Sequence, residues 1–212
     1  MRTDDLIASL VADHPSRTQP VWLWLLAGLC AALPLSAALF MMSLGPRPDI
    51  ATAMHSPFFD LKFAVTLALA SVAAALSLHL SRPNAALRGW MWLFALPAGL
   101  LGIGIAADFA VPQRMTWTGR LVGSGAAACL SAIPLFSAPF LIAALLTLRK
   151  GATSHPMLLG ALAGSMSAGL GAAIYAAHCM DDSPLFVATW YTLAACFVTF
   201  TGAMIGRRML RF

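Results

Sequence analysis

Of 212 residues, 60% are hydrophobic and only 10% are charged, with a mean hydropathy of +0.82. Soluble domains hold about 45–50% apolar and about 25% charged residues, so a water-soluble fold would expose an untenable apolar surface. The net charge of +5 comes without a basic run or stripe, which argues against direct nucleic-acid binding and makes the cations topology signals.

Residues 1–20 form the one sizeable polar stretch and read as a segment separate from 21–212, the membrane part. They do not read as a signal peptide: Asp4, Asp5 and Asp13 offset Arg2 and Arg17, and no cleavage motif follows the next apolar run. Thr3 is placed to cap a helix whose first turn holds Asp4 and Asp5, where the macrodipole favours acids. Leu6, Ile7, Leu10 and Val11 then build an apolar face that Pro15 and Pro20 end. A helix lying on lipid usually carries Lys and Arg, but this one is acidic. So short a helix is marginal alone, and a groove in a soluble partner suits it better, contacted by Asp4, Asp5, Leu6, Ile7, Leu10 and Val11.

Six apolar runs follow, near 21–44, 61–80, 90–107, 125–147, 157–177 and 186–206, each close to the ~20 residues that cross a bilayer as helix. They lack the apolar–polar alternation of a membrane barrel, so the expected fold is all-α, a six-helix membrane bundle with a short amphipathic helix before it. Pro34, Pro97, Pro134 and Pro139 fall inside spans, where proline is tolerated. An even number of crossings puts both termini on one side. That side collects Arg2, Arg17, Arg82, Arg88, Arg149, Lys150, Arg207, Arg208 and Arg211, nine of the thirteen Lys and Arg, against Arg47, Lys62, Arg114 and Arg120. The positive-inside rule then places both termini in the cytoplasm.

The fourth run is overlong if it starts at Leu121. Gly123–Ser124–Gly125 interrupts it, since glycine costs ~1 kcal/mol in a helix interior, and a start near Gly125 puts Cys129 in the outer first turns. In the fifth run Gly160, Gly164, Ala168 and Ala172 recur every fourth residue, a small-residue stripe that lets a neighbouring helix approach, within the bundle rather than in a dimer; the oligomeric state is left open.

The span centres carry no Asp, Glu, Lys or Arg, which counts against an ion-coupled transporter or channel. His79 and His178 lie at opposite depths and cannot share a haem, and Gly102 and Gly104 lack the third glycine of a dinucleotide fingerprint. No nucleophile with base and orienter is visible, and a membrane thiol oxidoreductase would be expected to hold a CxxC pair that is missing. The chemistry instead gathers in AAHCMDDSPLFVATWY, residues 176–191, between the last two spans. Cys179 lies there, on the outer side like Cys129, whereas Cys30 and Cys196 fall mid-span and read as small buried apolar residues. Imidazolium at His178 would lower the Cys179 pKa and Asp181 and Asp182 would raise it. Three readings stand open: a reactive pair, a soft-metal capture site of Cys129, Cys179 and His178, or two packed, inert thiols. No resident cofactor is expected, nor enzyme activity.

RTDDLIASLVAD at the start, six spans, a cysteine before IPLFSAPF and HCMDDSPLFVATWY between the last two together resemble the NrsF family. The resemblance covers nearly the whole chain. It implies a bacterial inner-membrane anti-sigma factor that holds an extracytoplasmic-function sigma factor of the sigma-F type. It further implies that the segment from Arg2 to Asp13 helps sequester that partner, and that Cys129 and Cys179 respond to oxidants or heavy metals. The mechanism expected is a shift of the fourth helix against the fifth that releases the sigma factor inside.

Overall fold

The computed structural model describes residues 20–82, 85, 89–111 and 116–211. The expected N-terminal amphipathic helix, with Asp4, Asp5, Leu6, Ile7, Leu10 and Val11, lies outside the described residues. Among those residues the secondary structure is helical throughout, and six helices are long and apolar enough to cross a membrane.

Helix α1 (Val21–Ser43) is followed by a short turn of helix, α2 (Ile50–Ala53), and by α3 (Pro57–Leu80). Helix α3 starts a turn before the apolar run does, because Pro57 occupies the first helical turn and Asp60 suits its positive end. A 3₁₀ turn (Met91–Phe94) leads into α4 (Ala95–Ala110). The fourth crossing is split as its glycines suggest: α5 (Trp117–Val122) stops at Gly123, whose φ of +59° suits glycine, and α6 (Ala126–Leu148) starts after Gly125. Helix α7 (Pro156–Ala176) is the fifth span. The sixth runs from Pro184 to Met209 as α8 (Pro184–Phe186), a π-helical turn (Val187–Tyr191) and α9 (Thr192–Met209).

Helix α7 is the centre of the bundle. In its most apolar stretch 67% of residues are buried, against 17% for Met91–Ala110 and 22% for α1, which turn most of their surface outward. Its glycines explain how three helices reach it at once. Gly160 lies against the backbone of Gly202 and Gly206, and a Cβ on Gly164 would come 2.7 Å from the Val198 carbonyl oxygen, so α9 packs backbone to backbone on α7. On other faces, a Cβ on Gly169 would lie 2.6 Å from the Thr66 carbonyl of α3, and one on Gly171 would lie 2.7 Å from the Ser137 nitrogen of α6. The expected stripe is thus used within the bundle, with Ala168 and Ala172 buried beside it. Helix α1 packs on α6, where the buried Ser36 hydroxyl donates to the Phe136 carbonyl (2.7 Å), and α4 packs on α3.

Antiparallel crossings sort the loops into two ends. At one, Lys150 Nζ lies 2.9 Å from the ring centre of Trp24 and Ala152 N donates to the Ser81 carbonyl (3.1 Å). Arg149, Arg207 and Arg208 follow or close helices at that same end. The connector 177–183 lies at the other. There, too, Asp108 of α4 pairs with Arg120 of α5.

Burial of the mid-span cysteines reverses the expectation. Cys30 and Cys196, expected to be buried, are exposed on the bundle surface, which a span presents to lipid. Cys129 and Cys179, expected on the outer side, are 0% and 3% exposed. A position along a helix sets depth in the bilayer, but the direction a side chain takes around the axis is set by which helices pack beside it.

Candidate functional site

The site is built from a connector that joins α7 to α8. Cys129 in the first turn of α6 and Cys179 in the connector belong to one buried cluster with Phe136, Tyr175, Phe186 and Tyr191. Both are free thiols. Cys179 Sγ donates weakly to the Asp181 carbonyl at 3.7 Å. Burial pushes the Cys179 thiol above its ordinary range, with the Lys62 ammonium working in the opposite direction. The π-helical turn packs Tyr191 into this cluster and lets Trp190 Nε1 donate to the Leu121 carbonyl at 2.9 Å. One extra residue per turn re-aims side chains, which is why π turns mark sites.

The two adjacent aspartates do separate work. Asp181 accepts from the backbone nitrogens of Ser124 (3.1 Å) and Gly125 (2.9 Å), at the positive end of α6. Because Cys129 N bonds the Gly125 carbonyl at 2.8 Å, the same contact holds the helix that carries the other thiol. Asp182 turns the opposite way. Its carboxylate lies 2.6 Å from Lys62 Nζ of α3 and 3.1 Å from Arg47 Nη1 of the α1–α2 loop. Both cations also donate to the carbonyl oxygen of Cys179, at 2.9 Å from Lys62 and 3.3 Å from Arg47. Arg47 N adds a bond to the Ala177 carbonyl at 3.0 Å, and Asp49 takes the other edge of its guanidinium at 2.7 and 2.8 Å. Phe59 lies beneath both cations, its ring centre 5.3 Å from Lys62 Nζ and 5.7 Å from Arg47 Cζ. Hydrogen bonds to Asp49 and Asp182 hold the Arg47 guanidinium charged far above its ordinary range, against the cost of burial, and Arg47 holds the Asp49 carboxyl below its own.

His178 does not join the thiols as a third ligand. Its Nδ1 lies 2.9 Å from the carbonyl of Gly45, in the turn after α1, and among the described residues no group of three His, Cys, Asp or Glu side chains could hold a metal ion. What the arrangement offers chemically is a pair of thiols under a strap, the strap fixed at one side by Asp181 and at the other by Asp182.

Residues 10–212 match, as one span, the family described as NrsF, negative regulator of sigma F. The chain belongs to the NrsF family. Along its full length it is similar to the anti-sigma-F factor NrsF of Caulobacter vibrioides, at 34% identity over 218 aligned positions that cover 100% of both chains. It is also similar to a protein named probable anti-sigma-F factor NrsF from Azospira oryzae, at 29% identity over 219 positions with 100% of both chains covered. No solved structure matches it.

Within this NrsF chain Cys129 and Cys179 share one buried cluster, and Asp181 and Asp182 beside them meet separate partners. Arg47, Lys62, Asp49, Tyr175 and Tyr191 were missed. Lys62 had a signal of its own: a lysine inside an apolar helix is costly unless paired, so a partner was owed. Arg47 and the tyrosines had none, because their role depends on contacts between distant segments.

Proposed function

We propose that this NrsF-family protein is a membrane anti-sigma factor that holds an extracytoplasmic-function sigma factor at the cytoplasmic face and releases it when Cys129 and Cys179 are modified. In this reading both termini are cytoplasmic, the membrane is the bacterial inner membrane, and residues 1–20 supply the binding surface through Asp4, Asp5, Leu6, Ile7, Leu10 and Val11. The match of residues 10–212 to a family of negative regulators of sigma F carries the reading. Both thiols lying in one buried cluster, at the end of the bundle away from Lys150 and Arg207, supports the sensing part.

Two modifications fit the thiols. A peroxide-class oxidant would take two electrons and two protons from them, leaving a disulfide and, for hydrogen peroxide, two waters. A soft heavy-metal cation would displace the thiol protons and bind sulfur. Either change alters how α6, which carries Cys129, meets the connector after α7. Helix α7 also touches α3 and α9, so a shift there reaches the opposite end, as coupling between two distinct sites requires. The alternatives of a small transporter or channel and of a membrane thiol oxidoreductase draw no support from the family.

The test uses cells carrying the full-length protein. Sigma-dependent transcripts are measured with and without oxidant in wild type, Cys129→Ser and Cys179→Ser, and a tagged copy is purified with its partner. Loss of induction in both serine variants, with partner still bound, is the expected result. Induction like wild type in both would remove the sensor role, and co-purification that survives deletion of residues 1–13 would remove the assigned surface.

A further inference from the structure

Cysteines only 0% and 3% exposed cannot be reached by an oxidant or a metal without movement, so something must govern access to them. Helices α6 and α7 are held along their length by close packing, whereas the connector is a segment of irregular backbone whose attachments are mostly polar. On its Cys179 side they converge on one carboxylate. Asp182 bonds Lys62 and Arg47, and those two cations hold the Cys179 carbonyl itself. The cluster is electrically closed: Lys62 and Arg47 balance Asp182 and Asp49. Lys62 is 1% and Arg47 7% exposed, but Asp182 is 26% and Asp49 46% exposed, so water reaches the network at its carboxylates.

We propose that Asp182, with Lys62 and Arg47, is a charge latch that keeps the connector closed over Cys129 and Cys179 and so sets how readily the thiols are reached. Neutralising Asp182 leaves Arg47 with Asp49 as its counter-ion but strands the buried Lys62 ammonium beside it with no carboxylate of its own. A lone buried charge next to a like charge seeks solvent, and the shortest route is outward movement of the strap that covers it. Removing Lys62 has the same consequence from the other side, since the Cys179 carbonyl then loses its shorter bond and Asp182 its nearer cation. The latch rests on the reading of the two thiols as the sensing site, and makes these three residues positioning residues for it.

Two other cysteines serve as references. Cys30 and Cys196 are exposed on the bundle surface and report how the reagent reaches thiols that the strap does not cover. Full-length protein in membrane vesicles is reacted with N-ethylmaleimide, and the rate at each of the four cysteines is followed by peptide-resolved mass spectrometry. In Asp182→Asn and in Lys62→Met, Cys129 and Cys179 are expected to label on the order of tenfold faster, with Cys30 and Cys196 unchanged and Lys62→Arg slow like wild type. Equal rates at Cys129 and Cys179 in wild type and Asp182→Asn overturn the latch. So does equal acceleration at all four thiols, which signals an effect not confined to the strap. Asp182→Asn is isosteric and carries the test by itself should Lys62→Met fail to fold. Failure of the sensor reading is distinct: labelling follows the latch, but transcription ignores Cys129→Ser and Cys179→Ser.

Discussion

The ammonium of Lys62 lies 2.6 Å from the carboxylate of Asp182, with a side chain 1% exposed. A charge so buried within a membrane helix is stable only while its partner stays in place. Helix α3 is therefore tied to a connector that lies far beyond it in the chain, and the tie falls on the residue next but two to a buried thiol.

Lys62→Met should destabilise the bundle by about 3–5 kcal/mol or somewhat less, the cost of stranding a buried partner, moderated because Asp182 is partly solvated. Thermal unfolding of the detergent-solubilised protein checks this. The double variant Lys62→Met, Asp182→Asn should lose less than the sum of the two single changes, because neither charge is then left alone.

The contact of α7 with α9 has no room for a methyl group. Gly164→Ala puts its Cβ 2.7 Å from the Val198 carbonyl and from Thr199 Cα, so one backbone must move. The folded yield in membranes should fall, and fall further for Gly164→Val. Gly99→Ala and Gly102→Ala meet nothing within 4 Å and sit within α4. They should be neutral or stabilising by up to ~1 kcal/mol from helix propensity alone.

Asp181→Ala removes a helix cap rather than an ion pair. It should cost about 0.5–2 kcal/mol and fray the start of α6. The local signature is faster amide exchange at Ser124, Gly125 and Cys129, with the middle of α6 unchanged. Unaltered exchange at Gly125 would show that the carboxylate does not hold that end.

Acid should weaken the Arg47–Asp49 pair. Arg47 depresses the Asp49 carboxyl, so its stabilisation is present above the ordinary carboxylate pKa of about 3.9 and is lost as pH falls through the lower folded value. Arg47 stays charged throughout. Thermal stability measured from neutral to strongly acid pH should therefore fall less steeply in Asp49→Asn than in wild type, by a small margin because Asp49 is exposed.

The six spans were legible because lipid demands length and apolarity, and both are properties of a local stretch. The split at Gly123–Gly125 and the tight face at Gly160 and Gly164 were legible for a similar reason: glycine declares backbone requirements by itself. The site was legible only as a coincidence of residue types. That Asp181 would hold α6 and Asp182 would hold α3 and the α1–α2 loop was not, since neighbours in sequence point to different partners in space.

What the chain determined by itself was six helices long and apolar enough to cross a membrane and the position of each cysteine along them, consequences of what hydrocarbon demands of a chain. Which cysteines meet protein and which meet lipid was decided only by tertiary packing. Depth is read along one helix, but azimuth is set by neighbours, and close approach of α3, α6 and α9 to α7 left Cys30 and Cys196 outside and enclosed Cys129 and Cys179.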